Sequence, residues 1–206
     1  GLTDLRDSRA IAAGLEDGLE PSALTVHVIN HPVRGRYLIN TGVESAWGDS
    51  QATPAPGWLT RHFVQRTHRL RVIEPTSSVL DRQGPIRGVF VTHMHLHSLF
   101  GLPDVPVEVP IYIGPGDAEA HGIRAAMLQS DYRRLLAGRP PLNEWPFSTQ
   151  GHLAEALDVF GDRTLFALKV PGPTRGTVAY LVRTVDGPVL ILGDAVCTRW
   201  AWRSGV

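Results

Sequence analysis

The spacing of apolar and polar residues divides the chain into short strands, two helical stretches and several connections rich in proline and glycine. Residues 24–29 and 36–39 are dominated by β-branched and apolar side chains, and the turn residues between Pro32 and Gly35 join them into a hairpin. A third short run, Val89 to Thr92, has the unbroken apolar character of a buried strand. Further strands are predicted over residues 109–113, 164–170, 177–184 and 189–192, the last two joined by the strong hairpin turn Asp186-Gly187. Leu59, Phe63, Val64 and Leu70 recur at helical spacing, which predicts an amphipathic helix over residues 58–71. Residues 117–136 are rich in Ala, Glu, Arg, Met and Leu and predict a second helix, one that would cover a sheet face. The segment before Pro21 has mixed charge and weak periodicity and reads as a surface helix or an ordered tail.

Chemistry enters where the Val89 strand stops. His93, His95 and His97 follow at every second position, and imidazoles delivered from a rigid strand end are well placed to hold zinc, iron or copper. The alternative is that they decorate a surface loop. Ser98 offers a hydroxyl that caps a short helix. Trp47, Trp58 and Trp145 lie in or beside loops and are candidates either for a cleft wall or for the core edge. His62, His68 and His121 have no companion ligands at useful spacing and are assigned no site. Cys197, the single cysteine, excludes an internal disulfide and reads as a small buried hydrophobe.

Several of these stretches, in order, resemble the metallo-β-lactamase superfamily, and within it the lactonase-like hydrolases. That family carries a TH-x-H-x-D-H motif at a strand end, and Thr92, His93 and His95 match its first half. His97 stands where the motif has aspartate, and Ser98 where it has histidine. Asn40, before Thr41 and Gly42, replaces an aspartate that supports the metal loops in the family. In the turn 171–176, Pro173 takes the place of a histidine ligand, whereas Gly193 and Asp194 match the Gly-Asp whose carboxylate bridges two metals. The resemblance implies an α/β fold (α+β in some schemes), a four-layer αβ/βα sandwich. Relative to that fold the chain is C-terminally incomplete, stopping at Val206 without a last histidine.

What the resemblance implies for chemistry is metal-dependent hydrolysis of a lactone or ester. His93, His95, His97 and Asp194 are then the metal ligands, and Asp194 also has a catalytic role. The departures from the motif imply a degraded site that holds zero or one zinc, or another divalent transition metal, with weak or absent turnover. The alternative is a catalytically silent member of the fold that binds a small-molecule ligand or a partner. The substrate-binding residues and the oligomeric state are open at this point.

Composition narrows the remaining classes. With 43% hydrophobic and 19% charged residues, the 206-residue chain is expected to form one soluble domain over residues 1–206. Lys plus Arg and Asp plus Glu number 20 each, so no positive field is available to attract nucleic acid. No apolar run is long enough to span a membrane, and the polar start lacks the core of a secretory signal. A cytoplasmic location is therefore the expectation.

Overall fold

The computed structural model describes residues 2–6, 19–68, 70–119, 126–148, 155–196 and 202–203. Strand β1 (Leu2–Arg6) pairs antiparallel with β2 (Leu19–Ala23), with Leu2 opposite Ala23. The helix-or-tail expectation is thereby corrected for these residues. Pro21 disfavours a helix interior, but a two-stranded ribbon tolerates it because one edge of each strand needs no ladder partner.

The next hairpin joins β3 (His27–His31) and β4 (Gly35–Ile39), and β4 continues into three parallel neighbours, β5 (Gly88–Phe90), β6 (Ile111–Ile113) and β7 (Asn143–Glu144). The five-stranded mixed sheet has the order β3-β4-β5-β6-β7. A second sheet is antiparallel with the order β11-β10-β9-β8, built from β8 (Ala156–Asp158), β9 (Leu165–Lys169), β10 (Val178–Thr184) and β11 (Gly187–Ile191). Besides short 3-10 turns, the described elements include the α-helices α1 (Trp58–His68), α2 (Thr76–Gln83) and α3 (Ala126–Leu135).

Strand alternation sorts the apolar side chains into two cores. Leu38, Val89, Val91, Ile111 and Ile113 point to one face of the mixed sheet and meet Val64, Leu80, Tyr132 and Leu135 of the helices. Ile39 and Phe90, one residue out of phase, point to the other face and meet Leu165, Ala167, Val178, Tyr180 and Val182 of the second sheet. Each such side chain contributes about 1.5–3 kcal/mol when fully buried. Helices, mixed sheet and antiparallel sheet are thus three layers of the expected sandwich in view among the described residues. Among the described residues no helix is long and apolar enough to cross a membrane.

Several details were not readable from periodicity. Helix α2 carries only Val79 and Leu80 as large apolar residues, too few to repeat a helical pattern. Strands β7 and β8 have two and three residues, shorter than any window in which alternation is visible. Asp117, predicted to open the second helix, lies in a turn over residues 115–119 instead, and the helix is seen from Ala126. Trp47 is 2% exposed and packs against Phe100 in the first core, Trp145 is buried in the second, and Trp58 is exposed on α1.

Candidate metal centre

The site is assembled where the two sheets meet. Beyond β5, the Val91 N–H donates to the Tyr112 carbonyl at 2.8 Å, and the Thr92 carbonyl accepts from the Val178 N–H at 2.7 Å. One residue ties the chain to the mixed sheet and the next to the antiparallel sheet. His93 follows immediately and is almost completely buried. The chain then turns away: the Met94 N–H donates to Asp117 Oδ2 at 3.2 Å, and the Met94 carbonyl accepts from the Tyr132 hydroxyl of α3 at 2.7 Å. Burial pushes the Tyr132 phenol up to about 12, with the Asp117 charge adding to it, so it remains a donor. A 3-10 turn, Leu96–Leu99, brings His97 back toward His93.

The histidines converge because the strand has ended, not because of their two-residue spacing within it. Their ring centroids lie 4.9, 5.1 and 5.6 Å apart. Asp194 arrives from the other sheet, on the 3-10 turn Gly193–Ala195 that follows β11. Gly193 has φ +54°, and a Cβ at that position would collide with Thr92 Oγ1, so only glycine lets the two strand ends approach this closely. His97 Nε2 lies 3.0 Å and His93 Nε2 3.4 Å from Asp194 Oδ2, and the two Nε2 atoms are 3.2 Å apart.

Those separations fit a metal ion. Tetrahedral zinc with bonds of about 2.1 Å holds its ligand atoms roughly 3.4 Å from one another. Each of His93, His95, His97 and Asp194 offers one ligand atom, and all four atoms lie within 4.8 Å of one another. Burial pushes the Asp194 carboxyl up, but its polar contacts to His93 and His97, with the charge those rings carry when protonated, more than offset this. The group is held well below the usual carboxylate range, in the form that binds cations.

The other expected positions fall elsewhere. Pro173 is exposed in its turn and adds no ligand, while Thr174 beside it donates to Asp117 Oδ2 at 2.8 Å. Ser98 caps no helix: it lies inside the 3-10 turn, and its Oγ sits 3.3 Å from His93 Nε2. Asn40 reaches the histidine loop, its Oδ1 accepting from the Thr92 N–H at 2.9 Å. His62 is exposed on α1, and His121 and Cys197 lie outside the described residues. Sequence reasoning missed Asp117 and Tyr132. The Gly-Pro-Gly turn before Asp117 was visible, but a helix-rich composition after it concealed the turn residue.

Comparison with known proteins bears on the family. The family model described as the metallo-beta-lactamase superfamily matches residues 73–200, which include all four clustered residues. The chain belongs to the metallo-β-lactamase superfamily. Among solved structures of this fold, an N-acyl homoserine lactone hydrolase with N-hexanoyl-L-homoserine at its catalytic metal centre is similar to the chain at TM-score 0.69 and 18% identity, covering 100% of this chain and 77% of that one. A variant of B. thuringiensis AiiA with N-decanoyl-L-homoserine at its active site gives TM-score 0.69 and 17% identity over 100% and 77% of the two chains. A probable metal-dependent hydrolase from Staphylococcus aureus gives TM-score 0.61 and 11% identity over 94% and 70%. At these identities the likeness to solved structures concerns the fold. No curated protein sequence matches the chain.

Proposed function

We propose that this metallo-β-lactamase-fold chain is a one-metal hydrolase of a small lactone or ester, with weak turnover. The observation that carries the reading is the convergence of four ligand atoms from two strand ends within 4.8 Å. Zinc suits this nitrogen-rich donor set, and another divalent transition metal is the alternative. When bound, the metal supplies Lewis acidity toward a carbonyl and an attacking water. His93 would be the buried anchor. The His97 and Asp194 side chains, 32% and 37% exposed, form the open side where substrate arrives. There the Asp194 carboxylate is placed to accept a hydrogen bond from the attacking water and orient it. Homoserine lactone products in the solved relatives make lactones the first substrates to test. The whole chain, residues 1–206, is read as one domain of this fold.

The exposed Pro173, which has no coordinating atom, favours a second reading: a silent member that holds a ligand without turning it over. One experiment separates the two. Metal content is measured after dialysis, followed by hydrolysis of lactones, esters and β-lactams with and without chelator. The hydrolase reading expects at most one retained metal and slow, chelator-sensitive turnover that Asp194→Ala abolishes. Bound metal with no turnover on any substrate supports the silent reading, and no metal bound under any condition sinks the hydrolase.

A further inference from the structure

We propose that Asn40 and Thr92 are positioning residues that fix His93 as the tautomer protonated on Nδ1, leaving Nε2 bare toward the cluster. The Thr92 backbone N–H is a donor, so the Asn40 side-chain atom 2.9 Å from it is the amide oxygen. That same oxygen lies 3.1 Å from Thr92 Oγ1. Two oxygens at hydrogen-bond distance need a proton between them, and only the threonine hydroxyl has one. Thr92 Oγ1 therefore donates to Asn40. Its hydrogen is committed, so toward His93 Nδ1, 3.0 Å away, it accepts, and the imidazole proton sits on Nδ1.

The consequence falls on the other side of the ring. His93 Nε2 then presents a lone pair to Asp194 Oδ2 at 3.4 Å and to His97 Nε2 at 3.2 Å. The Ser98 hydroxyl oxygen lies 3.3 Å from Nε2 and 3.5 Å from Nδ1, near both ring nitrogens rather than in line with either. A buried nitrogen lone pair facing a carboxylate oxygen is an arrangement of acceptors that a cation between them relieves. Asn40 holds this relay from a left-handed backbone position, φ +56°, which asparagine adopts more readily than most residues. The metal-holding consequence rests on the function proposed above, whereas the tautomer itself does not.

The test reads proton positions rather than activity. Long-range proton–nitrogen correlation spectra of the 15N-labelled full chain are recorded metal-free at about pH 8.5, where an ordinary histidine is neutral, with His93→Gln identifying the His93 signals. The wild type is expected to carry its proton on Nδ1 and none on Nε2. Asn40→Gly keeps the backbone conformation but removes the acceptor, which frees the Thr92 hydroxyl to donate to Nδ1 and moves the proton to Nε2. Thr92→Val, nearly the same shape, serves where the glycine variant does not fold and should lose the fixed tautomer too. Asn40→Asp and Thr92→Ser retain the relay and the wild-type spectrum. Titration with zinc should show Asn40→Gly weakened by about 10–100-fold and Asn40→Asp close to wild type. A proton on Nε2 in the wild type overturns the inference. So does an unchanged His93 spectrum in folded Asn40→Gly or Thr92→Val, whatever the zinc affinity. The expected tautomer in a protein that takes up no zinc supports the relay and refutes the hydrolase.

Discussion

Two carboxylates, Asp117 fully buried and Asp194 partly open to solvent, flank the same histidine loop, and their surroundings are built on opposite principles. Asp117, fully buried, is surrounded by donors: Met94 N–H and Thr174 Oγ1 to one oxygen, and Gly176 N–H at 2.9 Å to the other. It joins the histidine loop to the turn that carries Pro173. A Cβ on Gly176 would press on the Gly114 backbone and the Asp117 carboxyl, so the donor is brought in by a residue without a side chain. Asp194 has instead been placed against imidazole nitrogens, one of which the Asn40–Thr92 relay leaves without a proton. A carboxylate whose surroundings supply its donors is a structural joint. One that faces the nitrogens of two imidazoles is a place for a cation.

Removing a member of each cluster breaks this comparison in different ways. His93→Ala should lower metal affinity by more than the about 10–100-fold loss typical of a supporting residue, because a ligand and its relay disappear together. Equilibrium dialysis with zinc measures it, and unchanged content would mean that the metal sits elsewhere. Asp117→Ala should act on stability first. Orphaning three donors at about 1–3 kcal/mol each predicts a loss of about 3 kcal/mol or more in urea unfolding of the metal-free protein. A loss under about 1 kcal/mol would remove Asp117 from its role as the joint.

Glu44 sharpens the contrast as another buried carboxylate, with a single donor among the described residues, the Ala55 N–H at 2.8 Å. Burial pushes its pKa up to about 7; the Ala55 hydrogen bond opposes this and the Asp104 charge adds to it. The sign follows from linkage. A carboxyl with an ordinary value of 4.5 unfolded and about 7 folded supports the fold when protonated; that support is complete below pH 4.5 and is lost as pH rises to about 7. Glu44→Gln should therefore match wild type near pH 4 and exceed it at pH 8 by up to about 3 kcal/mol. Unfolding midpoints at the two pH values decide it, and a variant that gains nothing at pH 8 would show that Glu44 is ionised in the fold without penalty.

The smallest effect is expected at Pro173→Ala. An exposed residue with no ligand atom should change stability by no more than about 0.5 kcal/mol and leave zinc stoichiometry as it was. A drop in zinc content there would tie the Pro173 turn to the metal after all, through Thr174 and Asp117.

What the sequence determined by itself was the family, most of the strands, and the residues able to bind metal. These are local properties. Alternation over five or more residues marks a half-buried strand, and the Thr92-His93-x-His95 run and the Gly193-Asp194 end are contiguous in the chain. Helix α2 and strands β7 and β8 were out of reach because their form comes from packing and pairing rather than from any period of their own. The tertiary structure alone decided which polar residues meet. His93 and Asp194 are 101 positions apart, and Asn40 and Thr92 are 52 apart. Each pair is joined only where strands from different parts of the chain end at the same place, so no window of sequence contains both the carboxylate and the imidazole it faces.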